Sequence, residues 1–183
     1  MSKHEEALQV HEVGELIVDE IAVNQAYDDI ATRISADLRD KNPLLLAVMN
    51  GGLIPMGQLL PRIDFALRVD YLHATRYRDK TRGGEIDWIK YPQNDLAGEH
   101  LLIVDDIHDE GYTLQAIVEY CETQKPASIR TAVLAEKIHD RGVDMRPDYV
   151  GLQLPDRYVY GCGLDYKGFW RNLPAIYAVK EEN

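Results

Sequence analysis

Apolar residues that recur every three or four positions predict helices in two stretches of the chain. The first helix is expected to begin at Asn24 as its N-cap, and the second at Thr113. Their apolar positions are Tyr27, Ile30, Ile34 and Leu38 in the first helix and Leu114, Ile117, Val118 and Cys121 in the second. Because most of the positions between them are polar or charged, each helix presents one apolar face for packing on a sheet. A further helix is expected with Pro55 near its first turn.

Short apolar runs between these helices predict buried strands. The run at residues 44–49 is apolar throughout, which is typical of a strand covered on both faces. The run at residues 101–104 has the same character, and the strand is expected to end in Asp105 and Asp106. Other strands are expected at residues 65–72, 129–135, 149–152 and 175–179. Strands that alternate with helices indicate an α/β fold with a mainly parallel, twisted sheet flanked by helices.

A polar segment interrupts this alternation between Arg76 and Glu85. It has no apolar periodicity and contains a glycine pair just before Glu85. Such a segment is predicted to be a mobile loop or the tip of a long hairpin.

The composition narrows the class of protein. The chain of 183 residues is long enough to bury one core, and we expect a single domain over residues 1–183. Its 31 acidic and 20 basic residues give a net charge of -11, which disfavours nucleic acid and anionic membranes as partners. The two cysteines have no metal-ligand spacing, and no apolar stretch is long enough to span a membrane. We therefore expect a cytoplasmic protein.

Residues 101–113 contain the strongest indication of chemistry, because an apolar strand there leads into acids and then into a helix. Ligands of open α/β sheets bind at the carboxyl ends of the strands. Asp105 and Asp106 can accept hydrogen bonds from the vicinal hydroxyls of a ribose. Gly111 and Thr113 lie at the start of the following helix, whose unpaired N–H groups and dipole favour a phosphate. The segment therefore predicts a site for a ribose phosphate.

A purely structural explanation exists for each part of this segment. Asp105 and Asp106 could end a strand, and Asp109 could belong to a turn. That explanation does not account for a buried strand, three acids within five residues and a phosphate-binding turn in series.

The order of these residues resembles the signature of the phosphoribosyltransferases, which is an apolar strand, two acids, two further residues, Asp, a small residue, Gly, any residue and Thr. The resemblance spans roughly residues 44–171 and is strongest with the hypoxanthine-guanine phosphoribosyltransferases. It implies a sheet core over about residues 24–155, a small hood formed by the N-terminal segment and about residues 156–183, and a flexible lid loop. It also implies transfer of a 5-phosphoribosyl group from phosphoribosyl pyrophosphate to hypoxanthine or guanine, with Mg²⁺ as the cofactor.

The resemblance also assigns roles to individual residues. Asp109 is implied to be the general base that takes a proton from the purine. The residues implied to bind the ribose and its 5-phosphate are Asp105, Asp106, Asp109, Glu110, Gly111, Tyr112 and Thr113. Those implied to bind pyrophosphate are Asn50, Gly51, Gly52, Arg76, Tyr77 and Arg171, with Arg76 and Tyr77 at the start of the lid loop. Those implied to bind the purine are Lys137, Tyr158, Val159 and Asp165, and the implied metal ligands are Asp165 and Asp105.

Two residues differ from the pattern of the family. Asn50 stands where many relatives have a lysine, and Glu110 stands where a Ser or Thr hydroxyl usually contacts the 5-phosphate. Two histidines near the predicted site, His108 and His139, have no metal-ligand spacing and are expected outside the direct ligand contacts or in solvent.

Two other functions are compatible with parts of the sequence. A regulator with this fold could bind phosphoribosyl pyrophosphate or a nucleotide without turnover, although the net charge of -11 disfavours the nucleic-acid binding typical of such proteins. A phosphotransferase could use the strand-end aspartates as nucleophile and metal ligands, but it would leave Lys137, Tyr158 and Arg171 without roles. We expect a homodimer or homotetramer, and the sequence does not choose between hypoxanthine, guanine and xanthine.

Overall fold

The structure is a computed structural model that describes residues 1–76 and 86–180. The α-helices are α1 (Lys3–Glu12), α2 (Glu20–Leu38), α3 (Leu53–Leu59) and α4 (Tyr112–Thr123). The strands are β1 (Glu15–Val18), β2 (Leu44–Val48), β3 (Arg68–Arg76), β4 (Ile86–Lys90), β5 (His100–His108), β6 (Ser128–Lys137), β7 (Tyr149–Leu154), β8 (Val159–Tyr160) and β9 (Ile176–Ala178). The predicted segment between residues 77 and 85 lies outside the described part of the chain.

Six strands form the central sheet in the order β4-β3-β2-β5-β6-β7. All neighbouring pairs are parallel except β3 and β4, which are antiparallel. This arrangement confirms the predicted α/β fold with a mainly parallel sheet. The central strand β2 is buried along its whole length, as its unbroken apolar run predicts.

Helices cover both faces of the sheet. On one face, the buried side of α2 packs against apolar residues of β2, β5 and β6, including Leu45, Leu102 and Leu134. On the other face, α4 packs its apolar residues against alternate positions of the same strands, including Leu44 and Leu101. Each strand therefore contributes side chains to two cores, because successive residues point to opposite faces.

Several predicted boundaries are wrong. The strand expected at residues 65–72 is β3, which spans Arg68–Arg76, and the helix expected from Thr113 begins at Tyr112. Helix α2 begins at Glu20 and not after Asn24, because the carboxylate of Asp19 accepts the N–H of Ala22 at 2.8 Å and so caps the helix. Strand β5 does not end in Asp105 and Asp106 but continues to His108, because its pairing with β6 extends to Glu136. Asp105 and Asp106 therefore lie within β5, where backbone hydrogen bonds to the neighbouring strand fix their positions.

The terminal segments form a small antiparallel sheet in the order β1-β9-β8, which corresponds to the predicted hood. The expected strand near residues 175–179 is β9 and belongs to this sheet and not to the parallel one. Helix α1 packs on the hood, where Trp170 Nε1 donates to the Ala7 carbonyl at 2.8 Å. Tyr166 donates its hydroxyl to Glu6 at 2.7 Å. These contacts hold the hood segment that connects β8 with β9.

Two further expectations concern the whole chain. The single domain with a core over about residues 24–155 stays a prediction, which limited proteolysis would test. In the described residues, no helix combines the length and the apolar character that crossing a membrane requires.

Candidate active site

The carboxyl end of β5 carries the acids of the signature. Asp105 and Asp106 lie within the strand, and Asp109 follows its last residue. Gly111 is the N-cap of α4 and has a φ of 79°. A Cβ at this position would lie 2.6 Å from Cε1 of His108, so both the backbone angle and the contact require glycine. The turn brings the first N–H groups of α4 to the same edge of the sheet as the acids.

The connection between β6 and β7 supports the backbone of this turn. The carbonyl oxygen of Glu110 accepts the N–H of Val143 at 2.9 Å. Gly142 packs so closely that a Cβ there would lie 2.1 Å from the same oxygen. The backbone of Glu110 is therefore fixed by a neighbouring segment of the chain.

The predicted pyrophosphate loop lies against Asp106. The peptide bond between Met49 and Asn50 is cis, and Asn50 is exposed. A Cβ at Gly51 would lie 2.4 Å from a carboxylate oxygen of Asp106, and a Cβ at Gly52 would lie 2.5 Å from the carbonyl oxygen of Val104. The two glycines therefore allow the loop to approach β5 more closely than any other residue would.

Arg171 joins the hood to this part of the site. Its guanidinium lies 2.5 Å from Oδ1 of Asp165 and 3.5 Å from Oδ2 of Asp106, and it also donates to the carbonyl oxygen of Gly163. A Cβ at Gly163 would lie 2.5 Å from the carbonyl oxygen of Gly51. The structure therefore brings together three regions that are far apart in the sequence: residues 49–52, the end of β5 and the hood.

Burial changes the acidity of the two adjacent acids. Desolvation raises the pKa of Asp105 well above its usual value, and the nearby Asp106 carboxylate raises it further. Desolvation also raises the pKa of Asp106, against the opposing effects of a hydrogen bond with Asp105 and the charge of Arg171. Arg171 is the salt-bridge partner of Asp106 in the described residues, and it also binds Asp165. A cation bound beside the pair would favour the ionised forms and so oppose this rise in pKa.

Asp109 is held by two donors on different oxygens. Lys137 Nζ lies 2.7 Å from Oδ2, and His139 Nε2 lies 2.7 Å from Oδ1. Partial burial by itself would raise the pKa of Asp109, but these two hydrogen bonds outweigh it and hold that pKa below its usual value. The structure therefore places the implied general base and the implied purine-binding lysine in direct contact.

A possible metal cluster lies next to Asp109. Ligand atoms of Asp109, His139 and Asp156 lie within 4.8 Å of one another. However, Lys137 already donates to Asp109, and Arg141 donates to both oxygens of Asp156 at 2.6 and 2.8 Å. Because both carboxylates have cationic partners, we interpret the cluster as an ion-pair network.

Tyr158 and Val159 lie where the chain enters the hood. The Tyr158 side chain is exposed, and its ring centroid lies 5.4 Å from that of Tyr166. Val159 is buried in β8, so its backbone is fixed by pairing with Ala178. An exposed ring beside a fixed backbone is compatible with the predicted stacking on a purine.

Two predicted side chains lie outside the described part of the structure, and one contact of His139 was not predicted. The roles predicted for the side chains of Arg76 and Tyr77 fall outside the described part of the structure. His139 was expected outside the direct ligand contacts or in solvent, and the structure excludes only solvent, because its side chain is 6% exposed and bonded to Asp109. Nothing in the local sequence signals this contact, because the two residues lie 30 positions apart.

The comparisons with known proteins agree with this geometry. A family model described as the phosphoribosyl transferase domain matches residues 16–167. The chain therefore belongs to the phosphoribosyl transferase family, and the resemblance drawn from its signature is confirmed.

Two relatives and one crystal structure match this chain over more than nine-tenths of its length. The hypoxanthine-guanine phosphoribosyltransferase of Bacillus subtilis is 32% identical over 171 residues, which are 93% of this chain and 95% of the relative. That of Streptococcus pneumoniae is 31% identical over 173 residues, 94% and 96% of the two chains. A crystal structure of a hypoxanthine phosphoribosyltransferase from Staphylococcus aureus is 29% identical, has a TM-score of 0.86 and covers 91% of each chain. The fold is thus that of these enzymes.

Proposed function

We propose that this protein is a purine salvage enzyme that transfers the 5-phosphoribosyl group of phosphoribosyl pyrophosphate to hypoxanthine or guanine and releases pyrophosphate. The observation that carries the proposal is the convergence at the end of β5, where Asp109 contacts Lys137 while Asp106 contacts Arg171 and packs against Gly51. The names of the relatives support the same reaction. They also favour an enzyme over a regulator that binds without turnover.

The ribose phosphate would lie along the end of β5. Asp105 and Asp106 would accept hydrogen bonds from the two ribose hydroxyls, and the N-terminus of α4 would bind the 5-phosphate through backbone N–H groups. Residues 109–111 form the turn before α4, and Glu110 in this turn is an acid. An acid beside a phosphate dianion is repulsive unless it is turned away, so the backbone would supply most of the attraction.

The residues present fit a magnesium ion on the pyrophosphate side. Mg²⁺ prefers oxygen ligands and often binds through one or two carboxylates together with substrate phosphates. Asp165 accepts hydrogen bonds from Gly168 N–H and Arg171, which leaves lone pairs on its oxygens, and Asp105 lies beside a second carboxylate, Asp106. Asp105 and Asp165 would hold the ion, which when bound neutralises charge on the pyrophosphate.

The purine would bind between Lys137 and Tyr158. Lys137 would donate to the 6-oxo group, which favours hypoxanthine and guanine over adenine because the 6-amino group of adenine is itself a donor. Tyr158 would stack on the ring, and the backbone of Val159 would fix its orientation. Asp109 would take the proton from the imidazole nitrogen, while Arg171 and the backbone of the 49–52 loop stabilise the departing pyrophosphate.

A direct assay tests the proposal. The purified protein is mixed with phosphoribosyl pyrophosphate and Mg²⁺ and with hypoxanthine, guanine, xanthine or adenine in turn, and nucleotide formation is followed. We expect inosine or guanosine monophosphate together with one pyrophosphate for each nucleotide. Tight binding of phosphoribosyl pyrophosphate without turnover of any oxopurine would instead favour the regulator.

The proposal extends to the assembly and location of the protein. A homodimer or homotetramer is proposed, and light scattering after gel filtration would distinguish the two states. A cytoplasmic location is proposed from the two cysteines, which have no disulfide or metal-ligand spacing, and cell fractionation would test it.

A further inference from the structure

His139 provides a contact to the proposed general base that the signature does not contain. Its ring is almost completely buried, whereas the Asp109 side chain is 40% exposed. The 2.7 Å contact joins His139 Nε2 to Oδ1 of Asp109, and Lys137 contacts the other oxygen. One oxygen of the carboxylate is therefore held by a buried ring, and the other by a lysine whose side chain is 13% exposed.

The other ring nitrogen fixes the tautomer of His139. The backbone N–H of Arg141 donates to His139 Nδ1 at 3.2 Å. A nitrogen that accepts a hydrogen bond carries no proton, so the proton of the neutral ring lies on Nε2, which is the atom that contacts Asp109. The guanidinium of Arg141 is anchored on Asp156 by two hydrogen bonds, which stabilises the turn that presents this N–H. His139 is thus built to donate to Asp109.

Lys137 has two proposed partners in the reaction, Asp109 and the purine. In the structure, its ammonium lies 2.7 Å from Asp109 Oδ2, but in the proposed reaction it also donates to the 6-oxo group of the purine. When Lys137 turns to the purine, Oδ2 becomes available as a proton acceptor. A carboxylate that lost both donors would be free to rotate, whereas one held through Oδ1 keeps its orientation.

We propose that His139 is a positioning residue that anchors Oδ1 of Asp109, so that Oδ2 is the atom that accepts the proton of the purine. This inference rests on the proposed function. In the reaction, the bond between C1 of the ribose and the pyrophosphate oxygen breaks, and its electron pair leaves with pyrophosphate. A lone pair of one imidazole nitrogen forms the new bond to C1. The N–H bond of the other imidazole nitrogen breaks, its electrons stay in the ring, and the proton moves to Oδ2.

Two substitutions separate donation from packing. His139→Leu fills the buried position with an apolar side chain of similar size and removes the donor. His139→Gln places an amide N–H near the position of Nε2 and keeps the donor. The matched control is His100→Leu, because His100 lies at the opposite end of β5, about 26 Å away along the strand, and bonds to Ser128. Circular dichroism and thermal unfolding verify that each variant is folded.

The kinetic test uses saturating Mg²⁺ and phosphoribosyl pyrophosphate with varied hypoxanthine. His139→Leu is expected to lower kcat by roughly 10- to 100-fold with little change in KM for hypoxanthine, because it loosens the base without touching the purine. The acidic limb of kcat should also move to higher pH, since a hydrogen bond that favours the ionised form is lost. His139→Gln should recover most of the turnover, and His100→Leu should retain the wild-type rate. Wild-type kinetics in His139→Leu, or equal losses in the Leu and Gln variants, would overturn the proposal.

A second readout does not depend on turnover. The carboxyl carbon of Asp109 is followed by NMR as the pH is lowered, and its signal is assigned by comparison with Asp109→Asn. The pKa of Asp109 should rise in His139→Leu and return towards the wild-type value in His139→Gln. If the wild-type protein converts no oxopurine, the proposed function fails, but this titration still shows whether His139 controls the carboxylate. An unchanged titration in His139→Leu would overturn the proposal by itself.

Discussion

Asp109 is the residue at which the proposed proton transfer and the proposed purine recognition meet, because it bonds to both Lys137 and His139. These donors lower the pKa of its carboxyl group below the usual value, so Asp109 is ionised in the free protein down to lower pH than an ordinary aspartate. An ionised carboxylate is ready to accept a proton, but donors that stabilise its charge also reduce its basicity. Release of Lys137 to the purine would therefore make Asp109 a stronger base when the substrate is present.

Replacement of Asp109 by asparagine tests this role. The amide keeps the size and shape of the side chain but cannot act as an effective base, so kcat should fall by roughly 100-fold or more. Binding of phosphoribosyl pyrophosphate should change little, whereas Asp105→Asn should weaken that binding. Steady-state kinetics and calorimetry measure the two effects. Turnover at the wild-type rate in a folded Asp109→Asn protein would reduce Asp109 to a turn residue.

Replacement of Lys137 by methionine should have two separable effects. The loss of a donor to the 6-oxo group should raise KM for hypoxanthine and guanine. The loss of the ammonium next to Asp109 removes one cause of its lowered pKa, so that pKa should rise and the acidic limb of the rate should move to higher pH. A pH series of initial rates measures both effects. If KM and the acidic limb both match the wild type, Lys137 is only a structural partner of Asp109.

At the scale of elements, the site depends on how closely a loop approaches a strand. Gly51 in the loop after β2 packs on the Asp106 carboxylate in β5, and Gly163 of the hood packs on Gly51. This stack of backbone segments places Arg171 beside Asp106. The close packing at these positions therefore requires glycine.

A methyl group at Gly51 is expected to disturb this packing. In Gly51→Ala, the new Cβ would lie 2.4 Å from an Asp106 oxygen, so the loop or the carboxylate must move. Such overpacking typically costs about 1–3 kcal/mol, and phosphoribosyl pyrophosphate should bind more weakly. The control is Gly57→Ala within α3, where a Cβ would meet no atom within 4 Å and the helix should be stabilised slightly. Equal substrate affinity in the two variants would contradict the proposed packing role of Gly51.

At the scale of the whole molecule, an acidic protein is proposed to bind a polyanionic substrate. The net charge of -11 repels such a ligand at long range, so binding requires local neutralisation. Arg171 supplies part of it, but this arginine is already shared between Asp106 and Asp165. The remaining neutralisation is expected from a divalent cation.

Removal of divalent cations should therefore abolish the activity. With excess EDTA, turnover should fall to background and the affinity for phosphoribosyl pyrophosphate should drop, and added Mg²⁺ should restore both. Calorimetry with and without EDTA measures the affinity, and a protein that has not been exposed to chelator serves as the control. Full turnover in EDTA would exclude the proposed magnesium requirement.

The sequence determined those features that depend on neighbouring residues. Strand β2 and the apolar face of α2 could be predicted from the spacing of apolar residues. The candidate site at the end of β5 could be recognised from the order of its acids, glycine and threonine. Apolar residues that repeat with the period of a helix or strand lie on one face and are buried together. A glycine turn before a helix leaves backbone N–H groups that can bind a phosphate. The family and the kinds of chemistry at the site could therefore be predicted without a structure.

The tertiary structure decided which distant residues meet. Arg171 reaches Asp106 across 65 positions, and Asp109 meets Lys137 and His139 across 28 and 30 positions. The length of β5 depends on pairing with β6, and β9 leaves the parallel sheet because it pairs with β1 and β8 in the hood. Local propensity carries no information on such pairings, because they are selected by packing and hydrogen bonding in the complete fold. For this reason, the sequence indicated a general base, but only the structure showed which side chains hold it in place.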